Sequence, residues 1–298
     1  MKKTLTAISA AIAFFLLILD GETALLGAQE GIKLCAMAVV PSLFPLFVVS
    51  MVLCGNLTAV SWKPARFLAK ICRMPSGSEC FLVPAFLSGY PAGAQALGQG
   101  YKEGRLSQKT ASRMLSFCNN TGPAFLFGMV GPQFPEKWMA VALWLIHMVS
   151  ALLVGVISPG KSDNTVSSPS VNTISLQQAL KKSVRVMADI CGWIILFRVI
   201  LAFLHRWILG AMPNDIAILL SGILELSNGC LMLKGIEQVG LRFILASGLL
   251  GFGGLCVGMQ TAAVAEGLPM TSYWKGKGLQ TVISVLLAGI VQFLFIAA

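Results

Sequence analysis

Leu87-Ser88-Gly89-Tyr90-Pro91-Ala92-Gly93-Ala94 interrupts an apolar stretch with the composition of a membrane helix. Asn119-Asn120-Thr121-Gly122-Pro123 interrupts the next one. A break in a helix leaves backbone N–H and C=O groups without partners, and hydrocarbon cannot supply any. Such breaks persist only where protein buries them or where they line a watery cavity. Two of them close together point to a solute or ion site made from helix tips.

Composition supports the bilayer as solvent. The 298 residues are 56% hydrophobic and 11% charged, with mean hydropathy +0.80. A soluble domain carries about 25% charged residues. The net charge of +10 would suggest nucleic acid for a soluble protein. Here the basic residues fall between apolar segments, so orientation in the membrane explains them and no nucleic-acid partner is expected. The eight cysteines form no C-x-x-C pair and read as small apolar residues rather than as a metal or disulfide framework.

Leu5–Leu19 follows Lys2-Lys3 and has the look of a signal peptide. Asp20-Gly21-Glu22 comes next instead of a small-residue cleavage site, which favours a retained first helix, with residues 22–30 outside. Further spans are expected at Ile32–Gly55, Trp138–Ile157, Val184–Leu204, Leu241–Ala265 and Leu279–Ile296, each near the ~20 residues a crossing helix needs. Three interrupted stretches lie between them: Cys80–Tyr101, Ala111–Val130 and Asn214–Leu233. Ser158–Ser175 is the one polar linker and divides the chain nearly in half. The halves resemble each other. Gly31–Phe47 parallels Ser183–Val199, Leu87-Ser88-Gly89 parallels Leu220-Ser221-Gly222, and Asn119–Pro123 parallels Gly251-Phe252-Gly253-Gly254. The expected organisation is an N-terminal helix and short external segment (1–30), a first membrane repeat (31–157), a polar cytoplasmic linker (158–182) and a second, inverted repeat (183–298).

Charge sets the topology. Cys80–Tyr101 and Asn214–Leu233 are taken as re-entrant hairpins, and Ala111–Val130 as a crossing despite its break. With the N-terminus inside, Lys2, Lys3, Lys63, Arg66, Lys70, Arg73, Lys102, Arg105, Lys109, Arg113, Lys161, Lys181, Lys182, Arg185, Lys275 and Lys277 are then cytoplasmic. Lys33, Lys137, Arg206, Lys234 and Arg242 fall on the other face. This distribution obeys the positive-inside rule. Three crossings in the first repeat force the second to be inverted, as in many secondary transporters. The fold class expected is an all-α polytopic membrane protein with inverted repeats, two re-entrant helical hairpins and broken transmembrane helices.

Pro41–Ser50, Leu87–Ala94 and Arg113–Gly128 resemble the sporulation integral membrane proteins of the YlbJ type. These belong to the nucleoside-recognition or Gate-domain group, which is similar to concentrative nucleoside transporters. The resemblance is strong over residues 31–130 and weaker over 183–298. It implies Gate-like repeats, an endospore-forming bacterium, and movement of dipicolinic acid across a forespore membrane.

The tips suit a small polar or anionic ligand. A helix beginning at Pro123 offers free N–H groups and a positive dipole end. Asn119, Asn120 and Thr121 add neutral donors and acceptors beside Gly122. Ser88, Gly89, Tyr90, Pro91 and Gly93 supply the facing tip, with Gln95 within reach, and the glycines permit close approach. In the second half the corresponding candidates are Glu225, Ser227 and Asn228. The competing reading is that Gly and Pro only kink packed helices and that the polar side chains tie helices together. Asp189 and Arg198 share a span but lie roughly two and a half turns apart, on opposite faces. Intramembrane charge is a functional hypothesis by default. Arg198 is the candidate to attract a carboxylate ligand, and Asp189 or Glu225 to carry a coupling proton. His147 reads as a packed or hydrogen-bonded residue.

No G-x-S-x-G elbow, H-E-x-x-H helix or Walker A loop is present, so an enzyme is not expected, nor a cofactor or metal. The expected function is transport of a small solute in a bacterial cell or forespore membrane, N-terminus in the cytoplasm. Lipid, the solute, a coupling ion (proton or sodium) and a second copy of the chain are the expected partners. The alternatives are a non-transporting scaffold or gating protein, and a nucleoside-type transporter. The topology is testable. Single cysteines at Ser107 and Ser168, in a cysteine-free background, should resist an impermeant thiol reagent applied to intact cells; labelling of Ser107→Cys overturns the re-entrant reading.

Overall fold

The structure is a computed structural model and describes residues 2–57, 63–158 and 174–296. Most of the polar linker lies outside the described residues. Among those described, the chain is helical and has no strand. Five helices among the described residues are long and apolar enough to cross a membrane: Gly21–Val49, Lys137–Ile157, Leu176–Trp207, Val239–Val264 and Thr271–Ile296.

The exterior of these helices is the apolar face. On α8 (Lys137–Ile157) the residues Val141, Leu145, Val149 and Leu153 recur every four positions and are all exposed, while His147 and Ser150 are buried. On α14 (Thr271–Val291) Val282, Leu286 and Ile290 face outward, and Tyr273, Lys277, Gln280 and Ser284 face inward. A soluble protein exposes no such continuous stripes. Lipid is the solvent that makes this inside-out pattern stable.

Residues 22–30, expected as a short external segment, are helical. They belong to α2 (Gly21–Leu34), which passes through a π-helical turn (Cys35–Val39) into α3 (Val40–Leu57). Pro41 has no N–H to return to the preceding turn, and the helix shifts register just before it. Asp20 starts α2 by accepting from Thr23 N–H at 3.3 Å. The helix extends this far because Gly27 and Gly31 let it lie directly on α9 (Leu176–Trp207). A methyl at Gly27 would stand 2.9 Å from Val199 Cα, and one at Gly31 would stand 2.8 Å from Ile195 Cα. This is small-xxx-small packing, in which bare backbone brings two helices together. The preceding α1 (Lys2–Leu19) keeps Ile12, Phe14, Phe15 and Ile18 exposed.

Two segments fold as helical hairpins. In the first, a π-helical turn (Pro84–Ser88) descends to Gly89-Tyr90-Pro91 and α5 (Ala92–Lys102) returns. Its two ends meet: the Arg105 guanidinium lies 5.3 Å from the Phe81 ring centre. In the second, α10 (Asn214–Leu224) runs down to Glu225 and α11 (Leu226–Met232) returns. Its ends meet where Asn214 Nδ2 donates to Gly235 O at 3.1 Å. The arms of this hairpin touch backbone to backbone at Gly222 and Gly229.

The hairpins open at opposite ends of α8. The segments flanking the first are tied to the C-terminal end of α8, because Arg113 on α6 (Gln108–Leu115) donates to Cys72, Arg73, Gly155 and Ser158 carbonyls. The open end of the second is tied to the other end, because Arg242 joins the Ile236 and Gln133 carbonyls. After each hairpin comes an interrupted helix. The first has α6, a break, then α7 (Pro123–Phe125) continuing into a π-helical turn (Leu126–Val130). The second has α12 (Val239–Phe252) and α13 (Gly254–Val264), broken at Gly253. Thus helix, hairpin, broken helix, helix occurs twice in the chain. The connection after α13 meets the end of α5, where Lys102 bonds Glu266 at 2.7 Å. That hydrogen bond and charge hold the Glu266 carboxyl below its usual range.

Gly31→Leu should therefore separate α2 from α9 and cost about 1–3 kcal/mol of overpacking. A detergent melting curve reads it, with Gly192→Ala as the control, since nothing lies within 4 Å of that position.

Candidate functional site

Four chain breaks converge in the interior. Gly89 and Gly122 face each other across the first two: a methyl on Gly89 would lie 2.8 Å from Gly122 N. Gly89 also has φ of +85°, a conformation that L side chains rarely adopt. The fourth break reaches the first through Gly253, where a methyl would sit 2.8 Å from Tyr90 Oη. It reaches the third through Gly254, whose added methyl would stand 3.2 Å from Leu226 N. Gly253 and Gly254 both have positive φ. Each break thus approaches another at bare backbone.

Side chains satisfy the backbone groups that the breaks expose. Asn119 Oδ1 accepts from Ala94 N–H at 3.3 Å, and its Nδ2 donates to Thr261 Oγ1 at 2.8 Å. One asparagine therefore joins the first hairpin, the first broken helix and the second broken helix. Thr121 N–H donates to His147 Nε2 at 3.0 Å. A neutral His147 then carries its proton on Nδ1. Asn120 Nδ2 donates to Phe117 O, and its Oδ1 accepts from Gln280 Nε2 at 3.2 Å. At the third break Glu225 accepts from Ser227 N–H and Asn228 N–H, at 2.9 and 2.7 Å. Its carboxylate caps its own helix, where negative charge is favoured.

A small, partly open pocket lies between the tips. Gly89, Tyr90, Gly122, Glu225, Ser227 and Gln260 provide its polar edge. Val39, Leu43, Ile190, Ile194 and Val257 provide apolar wall. Of the residues expected from sequence, Ser88, Pro91, Gly93, Asn119, Asn120 and Thr121 are buried around this junction. Gly93 permits α5 to touch the Cys118 carbonyl. Pro123 begins α7 beside Gly122, as expected of a first-turn proline. Gln95 is only half-buried and does not line the pocket. Asn228 stands beside the pocket with its amide engaged elsewhere.

That engagement is with Arg198, which donates to Asn228 Oδ1 and pairs with Glu30 on α2. The guanidinium is thus already neutralised by an acid from outside the tips. Asp189 is exposed on α9 and does not line the pocket.

Reading the chain for spans missed Lys277. Counted as a cytoplasmic flank of a span starting at Leu279, it lies instead within α14 and has no exposed surface. The helix begins at Thr271, so Lys275 is exposed and Lys277 turns inward. Its Nζ donates to Gln280 Oε1 at 2.9 Å and lies 3.5 Å from Tyr90 Oη. The spacing Tyr273, Gly276, Lys277, Gln280, Ser284 is an i, i+3, i+4 stripe and is the sequence signal that identifies this face. Gln260 and Thr261 were also missed; both are buried on α13.

The chain is 28% identical over 284 residues to the sporulation integral membrane protein YlbJ of Bacillus subtilis strain 168. The alignment covers 80% of this chain and 69% of that protein. No family model matches the chain, and no solved structure does. The similarity supports the YlbJ-type resemblance of the motifs. With the apolar helices it makes the chain an integral membrane protein.

Because Asn119 joins three elements, Asn119→Ala leaves the buried Ala94 N–H unpaired. It should cost about 1–3 kcal/mol, seen as a lower melting temperature in detergent, whereas Gln95→Ala should stay within about 0.5 kcal/mol.

Proposed function

We propose that this chain is a transporter, or the membrane component of a transport complex, for a small polar or anionic solute. The observation that carries this reading is the convergence of four helix breaks around one pocket within an apolar sheath. A scaffold gains nothing from such breaks, each of which needs dedicated side chains to satisfy its backbone. In this reading the two hairpins are re-entrant from opposite faces, the halves are inverted repeats, and rocking of one against the other alternates access to the tips. The N-terminus is cytoplasmic by the distribution of basic residues.

The similarity to a sporulation protein supports a role in sporulation. The family resemblance makes dipicolinic acid the candidate solute and a forespore membrane the setting. The second reading, a nucleoside-type transporter of the Gate group, is favoured by the neutral amides at the tips and by the acid at the pocket edge. Arg198 serves either reading as a structural cation. Its pairing with Glu30 and Asn228 holds α2, α9 and the second tip together.

Purified protein in liposomes should take up dipicolinate saturably. Gln260→Ala, at the polar edge of the pocket, should reduce uptake about tenfold or more, the scale of a lost polar contact to a charged ligand, with membrane abundance near wild type. Saturable uptake of an uncharged nucleoside but not of dipicolinate selects the nucleoside reading. Absence of saturable uptake and binding for both selects the scaffold.

A further inference from the structure

Lys277 has the wrong surroundings for a structural cation. Its side chain is fully buried. No carboxylate pairs with it among the described residues. Its neighbours are the Gln280 amide oxygen, the Tyr90 hydroxyl, and the faces of Tyr90 and Tyr273, with Nζ 5.2 and 6.0 Å from the ring centres. The helices packed on α14 offer no acid either. On α8 the ionisable residues are His147, which accepts from Thr121 N–H, and the exposed Lys137. On α12 it is Arg242, which holds the Ile236 and Gln133 carbonyls. On α6 they are the exposed Lys109 and Arg113, which holds carbonyls at the end of α8. A buried ammonium without an anion is very costly. The amine is stable there uncharged, or charged with an anion brought in from outside.

Tyr90 connects the amine to the pocket. It is one of the residues lining the pocket, and its hydroxyl reaches Leu250 O at 3.3 Å and Lys277 at 3.5 Å. Gln280 connects the amine to the tip asparagine through Asn120 Oδ1. Lys277 is therefore one side chain away from the pocket and one away from the second break.

We propose that Lys277 is the anion-binding group of the site and takes up one proton with each anion bound. This rests on the transport reading above and deepens it: the substrate is a carboxylate and the coupling ion is a proton. In the step, the amine lone pair takes a proton from bulk water, leaving hydroxide in the solvent, and the resulting ammonium exchanges the Tyr90 hydroxyl for a ligand carboxylate. One N–H bond forms, one O–H bond of water breaks, and nothing is oxidised or reduced. The ammonium cancels the charge of the carboxylate it meets, whereas Arg198 would have to release Glu30 to do the same. A neutral nucleoside recruits no proton by this route.

The test is proton uptake on binding. Full-length protein in detergent, weakly buffered at alkaline pH, is mixed with dipicolinate, whose carboxylates are then fully ionised, and an indicator dye follows the proton. Wild type should absorb about one proton per ligand bound, and its affinity should fall up to about tenfold per pH unit as pH rises. Lys277→Arg carries a fixed charge, so it should bind without absorbing a proton and with a flat pH profile. Lys277→Met should lose about tenfold or more in affinity. Lys275→Met, on the exposed face of the same helix, should keep the proton uptake. Binding to wild type without proton uptake overturns the assignment and leaves transport standing. So does proton uptake that persists in Lys277→Arg or disappears in Lys275→Met. If wild type binds no dipicolinate, the anion reading itself fails, and the role of Lys277 fails with it.

Discussion

Backbone groups freed by a helix break must find partners where neither water nor a neighbouring strand supplies them. The rest of this structure follows from that constraint. Asn119, His147 and Glu225 each accept from a backbone N–H at a break. Those polar side chains cannot face lipid, so the helices carrying them turn inward and their apolar faces turn out. The result is a polar centre within an apolar sheath, the reverse of a soluble fold. Bare glycine at Gly89, Gly122 and Gly254 then lets the breaks approach one another without side chains between them.

The succession of helices and breaks was legible because its signals are local. Apolar runs, a polar linker and Gly/Pro punctuation are visible in short windows, and they placed the hairpins and broken helices close to where they lie. What was not legible depends on facing. Residues 22–30 carry Glu22 and Glu30 and read as an external segment, yet Gly27 and Gly31 dock this stretch on a helix far along the chain. Lys277 sits two residues from the exposed Lys275 and looks like the same flank. Only the helical phase separates them, and the phase is set by where α14 begins. Arg198 was legible as an unusual charge, but its partner Glu30 lies in the segment read as external, so the pair could not be seen.

The two halves solve the same constraint with different charge. The first tip is satisfied by neutral amides and an imidazole, through Asn119, Asn120 and His147. The second is satisfied by the Glu225 carboxylate, with Arg198 and Glu30 farther out. A symmetric repeat would place like groups at both tips. Here the Glu225 carboxyl lines the pocket while Lys277 stands behind Tyr90, outside the lining.

That asymmetry bears on how a carrier can hold an anion and still release it. A ligand shifts a conformational equilibrium only by its differential affinity for the two states. A permanently exposed guanidinium would bind an anion in both states and bias neither. An amine screened by a tyrosine hydroxyl offers its charge only in a state where that hydroxyl has moved and a proton has arrived. The Tyr90 backbone belongs to the first break, and its hydroxyl is bonded to Leu250 on α12, in the second half. In the proposed transport cycle, moving the hydroxyl would loosen the contact between the halves as the charge becomes available. Binding chemistry and relative motion of the halves would then share one hydrogen bond, the coupling that the proposed carrier needs.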